Sequence, residues 1–125
     1  MKSAELLAAA ELVMDRPDFG FHGAWPRAVA LLGRQALEGA LDEYWERWLP
    51  QMQTANRRTQ TACLDLFVRD PDLSDGVKVA WASLSRACHH HAYELSPTAA
   101  ELEMWLAKVE GLVSRLSKTA SGTVR

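Results

Sequence analysis

Residues 86–93 of this chain read Arg-Ala-Cys-His-His-His-Ala-Tyr and hold three of its four histidines close to one arginine. An imidazole titrates near neutrality, so it can take the proton from a ribose 2′-hydroxyl or return one to a leaving oxygen. A guanidinium forks onto phosphate oxygens and steadies negative charge as it grows there. Arg86 and His91, five positions apart, are therefore the candidate catalytic pair for cutting a phosphodiester. His89, His90 and Tyr93 are candidates for supporting or regulating them. A second such spacing, Arg16 to His22, crosses a segment of proline and glycines and is read as accidental.

Helical geometry constrains that pair. On an unbroken helix, positions five apart point about 140° away from each other. His91 would then share the stripe of Val77, Trp81, Leu84 and Cys88, while Arg86 would share its face with His90 and Tyr93. Either the helix unwinds before His91, or a second protomer completes the site, or His90 takes the role given to His91. The competing explanation for the histidines is a helix C-terminus, where imidazolium charge meets exposed carbonyls. A zinc centre fits less well, because consecutive side chains diverge and no Cys/His quartet accompanies them. For Tyr93 the competing explanation is a buried phenol bonded to a neighbour.

Gly and Pro punctuate the chain, and the intervals between them carry helical rather than alternating periodicity. Five helices are expected. The first covers about 3–15, with Leu6, Ala9, Ala10 and Val13 on one side, and ends at Pro17, Gly20 and Gly23. The second covers about 24–49 with the stripe Leu37, Leu41, Tyr44, Trp48, and Pro50 closes it. The third, about 54–68, places Ala55, Thr59, Ala62 and Leu66 on one face, and residues 69–76 read as a loop. Ser74 or Asp75 would cap the fourth helix. Ser96 followed by Pro97 would cap the fifth, whose stripe is Leu102, Trp105, Leu106, Val109, Val113 and Leu116. The tail from about 118 reads as frayed. The expected fold is an all-α, antiparallel up-and-down bundle in a single domain over 1–125, with its core in about 3–117. Trp45, Trp48, Trp81 and Trp105 lie on or beside the apolar stripes and read as core.

The chain has 125 residues, 48% of them hydrophobic and 24% charged, which is globular composition. A net charge of −2 and a pI near 6.1 give no overall pull toward nucleic acid, so any RNA contact must be local and no DNA partner is expected. Arg57 and Arg58 are the only adjacent basic pair, and Asp65, Asp70, Asp72 and Asp75 separate them from Arg86. Cys63 and Cys88 lack metal spacing and read as free, largely buried thiols, which suits a reducing cytoplasm. Glu5 and Glu11 interrupt the first segment as a signal peptide, and no membrane association is expected.

The stretch Trp81-Ala-Ser-Leu-Ser-Arg86-Ala-Cys-His-His-His91-Ala-Tyr93, at the end of a penultimate helix before a final amphipathic one, resembles the HEPN superfamily of small α-helical bundles. Its toxin branch carries Arg-x4-His-x-Tyr, matched here by Arg86, His91 and Tyr93. In the second helix, Arg34 to Glu38 is similar to the Arg-x-x-Leu-Glu pattern common in these bundles, and the likeness in helix order covers most of residues 24–117. Where many members carry Asn, Asp or another polar residue after the arginine, this chain has Ala87. The resemblance implies a metal-independent RNA endonuclease without a cofactor, acting as a homodimer with both motifs facing one cleft. It also implies an antitoxin partner, with Tyr93 as a residue that a partner nucleotidyltransferase modifies. Trp25, Trp45 and the Cys88 side of the fourth helix are the interface candidates. The alternative is a non-catalytic helical module that binds a partner protein or a nucleotide.

Overall fold

A computed structural model describes residues 2–16, 24–89 and 97–119. Five α-helices carry the chain: α1 (Ser3–Asp15), α2 (Trp25–Trp48), α3 (Arg57–Phe67), α4 (Pro71–Cys88) and α5 (Ala99–Lys118). No strand occurs among the described residues, and the architecture is an all-α bundle. α2 is its axis, packed against α1, α4 and α5.

Four meetings between residues fix the direction of the long helices. Along α2 and α4, Glu38 meets Trp81 and Gly33 approaches Leu84, so residue numbers fall on one helix as they rise on the other. The same holds for α4 and α5, where Gly76 faces Leu112 and Asp72 pairs with Arg115. α2, α4 and α5 therefore alternate in direction. Gly33 is what lets α2 and α5 approach closely, since a Cβ there would sit 3.2 Å from a Leu106 methyl.

The core follows the expected stripes on four helices. Leu6 and Ala10, then Leu37, Leu41 and Tyr44, then Val77 and Leu84, and Leu102, Leu106, Val109 and Leu116 are all buried. α3 is different. Its expected face is turned outward, with Leu66 76% exposed, and it buries Gln60, Thr61 and Leu64 instead. The cause is polar. Pro50 opens a 3-10 turn through Thr54, and the Gln60 amide donates to the Met52 and Ala55 carbonyls that this turn presents, at 2.9 and 3.0 Å. A buried amide with its partners in place holds the register against an apolar face that has only solvent to lose.

Two helix starts also differ from expectation. α4 begins at Pro71, because Asp70 accepts the Leu73 amide proton and proline takes the first helical position, so residues 71–76 are helical rather than a loop. α5 begins at Ala99 rather than after Ser96, because Thr98 and Glu101 form a reciprocal pair: the Glu101 amide donates to Thr98 Oγ1 at 3.1 Å and the Thr98 amide to the Glu101 carboxylate at 2.9 Å. It runs on to Lys118, past the point where fraying is expected. Ser96 lies outside the described residues.

Arg115 ties the start of α4 to α5 through Asp70, at 2.5 Å, and Asp72, at 3.2 Å. The Arg115 hydrogen bond, then that of the Leu73 amide, hold the Asp70 carboxyl below its usual range. Hydrogen bonds from Lys78, then Ser74, do the same for Asp65. A folded-state value below the unfolded one adds stability above the ordinary carboxylate range, and that contribution is lost as pH falls through the folded value. Thermal melts of the wild type should therefore weaken on acidification below that range. Asp70→Asn, which keeps a capping oxygen but loses the charge facing Arg115, should show a flatter acid limb. An unchanged pH dependence would remove Asp70 from this account.

Candidate functional site

α4 stops at Cys88. His89 takes φ −117° and ψ 22°, off helical geometry, and its amide donates back to the Arg86 carbonyl at 3.1 Å in a tightened last turn. Arg86 therefore sits on the final turn, where its charge meets the exposed carbonyls of the helix end. It is exposed, on a solvent stripe with Asp75, Val79 and Ala82, and His89 is exposed beyond it. His90, His91 and Tyr93 lie outside the described residues, as does His22. Arg86 and His89 are thus the two motif side chains with a described position.

The opposite flank of the same helix end turns inward. Cys88, 8% exposed, packs toward α2, and burial pushes its thiol up, with the charges of Arg34 and Arg27 working against that and Glu38 with it. The Arg34 and Glu38 side chains that carried the second-helix likeness meet α4 here. Trp81 donates its indole proton to Glu38 at 2.9 Å, and Arg34 Nε stands 3.8 Å from the same oxygen. Arg57 crosses from α3, forking onto Asp42 at 2.6 and 3.2 Å with Glu38 at 3.7 Å. Its charge is thereby committed within the fold. The adjacent basic pair leaves only Arg58 as an exposed cation.

Both thiols are free, Cys88 buried and Cys63 half-buried. Trp45 is 0% exposed, edge-on between Tyr44 and Phe67. Trp45 and Cys88 themselves therefore lie in the interior of the bundle, which corrects the expectation for these two residues, while Trp25 and the neighbours of Cys88 on that side of α4, Trp81 and Ser85, are half-buried. What α4 presents outward beside Arg86 is Val79, 56% exposed, and Ala82.

Elsewhere, α1 and α5 splay to leave an open groove of about 450 Å³, floored by Leu7, Ala8 and Leu106 and walled by Glu11, Glu103 and Glu110. Its carboxylates would repel a phosphate backbone. Among the described residues no three His, Cys, Asp or Glu side chains gather as metal ligands, and no helix is long and apolar enough to cross a membrane. Spacing on α2 was the signal for the inward cluster: Arg34 and Glu38, four apart, share a face, but only the packing shows that Trp81 of α4 meets it.

Comparison with protein-family models, with curated proteins and with solved structures finds no match to this chain. The class that fold and site define is an all-α bundle carrying an arginine at the exposed C-terminal end of its penultimate helix.

Proposed function

We propose that this chain is a HEPN-like, metal-independent endoribonuclease that works as a homodimer, with Arg86 and His91 at a shared cleft and a cytoplasmic, toxin- or defence-type role. The observation that carries the reading is the end of α4 between those two residues. A helix continuing through His91 would separate the pair by about 140°. Termination at Cys88 lifts that restriction and leaves the Arg86 guanidinium in solvent, where a phosphate can reach it. His91 would then take the 2′-hydroxyl proton while Arg86 neutralises the charge gathering on the phosphate. Val79 and Ala82, exposed on the stripe of Arg86, supply apolar surface for a second copy that would bring two arginines to one cleft.

Purified protein incubated with single-stranded RNA in EDTA should cut it and leave 2′,3′-cyclic phosphate ends, with light scattering reporting a dimer. Cleavage that requires a divalent ion, or a strict monomer that still cleaves, would sink the shared-site mechanism.

One observation favours the second reading, a non-catalytic module that binds a partner protein or nucleotide. Ala87 is half-buried and packs on the core, so the position next to the arginine serves packing rather than polar chemistry. An RNA assay that stays silent while expression of the wild type is benign would put that module ahead.

A further inference from the structure

α1 and α5 both pack on α2 and leave between them the open groove of about 450 Å³. Ala4, Leu7, Ala8 and Glu11 line it from α1 at offsets 0, 3, 4 and 7, one face of a helix over two turns. The α5 wall runs from Glu103 to Ser114, three turns and about 16 Å. Leu106 is buried at the floor, Leu7 and Val113 are half-buried beside it, and the small side chains of Ala8 and Ala107 leave room above them.

The rim carries one sign. Glu11 stands on the α1 side and Glu103 and Glu110 on the α5 side, all exposed, and no described basic residue lines the groove. Among the described residues none of these three carboxylates has a hydrogen bond or an ion pair, so their charge faces outward uncompensated. A smaller cavity that shares Ala4 and Val113 reaches Lys2, Glu43 and Arg47, where the signs are mixed and Arg47 donates to the Leu116 carbonyl at 2.9 Å. The one-signed rim ends there.

These features select the occupant. An apolar floor asks for apolar side chains, and a rim of carboxylates asks for cations beside them. Helical walls offer no free backbone groups to an extended strand, whereas a helix satisfies its own and can seat its ridge between two others. An anionic membrane would be repelled, and a second copy of this chain, at net charge −2, meets the rim with the wrong sign.

We propose that the groove between α1 and α5 docks a basic amphipathic helix of a partner protein. The apolar stripe of that helix lies on Leu7, Leu106 and Val113, and lysines or arginines on its two edges face Glu11 on one side and Glu103 and Glu110 on the other. Glu103 and Glu110 stand two turns apart, about 10 Å, so cations seven residues apart on one edge of the docked helix meet both. Arg86 does not line the groove, and nothing in the proposal requires that the chain cut RNA.

The probe is a labelled peptide of about four turns, with leucines at heptad positions a and d and lysines at e and g. Its control is a peptide of the same composition ordered so that no apolar face forms. Fluorescence anisotropy on the full chain should show the first binding at least about tenfold tighter than the second, and weakening as salt rises. Glu110→Lys should lower that affinity at least about fivefold. Glu46→Lys, an equal change of charge at an exposed position of α2 away from the groove, should lower it less than about twofold. Ala107→Gln lays a polar side chain over the floor without changing charge and should lower it at least about fivefold. Thermal melts near the wild type are expected at these exposed positions, and if either groove variant melts early the other decides. Light scattering should give Glu110→Lys the mass of the wild type. Equal binding of the two peptides, equal loss in Glu110→Lys and Glu46→Lys, or full affinity in Ala107→Gln overturns the proposal. So does self-association that Glu110→Lys abolishes, which makes a second copy the occupant.

Discussion

Arg86→Ala should lower RNA cleavage by at least about a hundredfold and leave the fold intact. The first half of that expectation follows from the charge a phosphodiester gathers as its 2′-oxygen attacks. One well-placed donor at such a position is worth about 10² to 10³ in rate. The second half follows from where Arg86 sits. Its side chain is exposed on the last turn of α4, so its removal costs only a favourable meeting with the helix end, about 0.5 kcal/mol. A melting temperature within about 3 °C of the wild type is expected. Arg86→Lys sharpens the test. It keeps a positive charge at the helix end but not the two-pronged fork, so stability should be unchanged while cleavage still falls more than about tenfold. His91→Ala should be at least as damaging, at about 10² to 10⁴, through loss of the proton-transfer group. Gel assays on single-stranded RNA beside thermal melts read both quantities. Retained cutting in both alanine variants removes the pair from the mechanism, whatever the fold does.

The helices and the place of the motif were legible because both rest on local rules. α1 is bounded by Ser3 and Asp15 as expected, and the stripes of α2 and α5 bury the residues that periodicity selects. The misread starts of α4 and α5 come from one rule with two outcomes. At Asp70-Pro71 the polar residue caps and proline opens the helix, whereas at Ser96-Pro97 the helix waits two residues for Thr98 and Glu101. Thr-x-x-Glu before an apolar run is itself a readable start signal, and two reciprocal hydrogen bonds outweigh a proline's fixed φ. α3 could not be oriented from its own residues, because what turns it is the pair of carbonyls offered to Gln60 by a neighbouring turn. The candidate site divides the same way. Arg86 at a helix end is a statement about sequence, whereas the meeting of Glu38 with Trp81 on the inner flank of α4 depends on how α2 and α4 align, and no spacing within either helix contains it.

The largest effect on stability is expected at Trp45, and its size should depend on what replaces the indole. The side chain is fully buried and touches Tyr44 and Phe67 edge-on, with ring centroids 5.0 and 5.1 Å away and planes at 81° and 83°. Trp45→Ala removes all of that and leaves a hole among Tyr44, Phe67 and their neighbours, at a cost of about 3–5 kcal/mol. Against a total stability of about 5–15 kcal/mol, that brings the chain close to unfolding at ordinary temperature. The indole also carries a liability. Its Nε1 proton finds no acceptor among the described residues, and a buried unpaired donor costs about 1–3 kcal/mol. Trp45→Phe keeps an aromatic edge against both neighbours and abolishes that donor, so the smaller ring's lost contacts are partly offset and the net cost should stay below about 2 kcal/mol. Urea unfolding separates the two variants by midpoint, with unchanged slopes confirming that the same surface is exposed. A phenylalanine variant as unstable as the alanine one would mean that the Trp45 N–H is satisfied after all, and that the full indole shape rather than its aromatic edge holds α2 to α3.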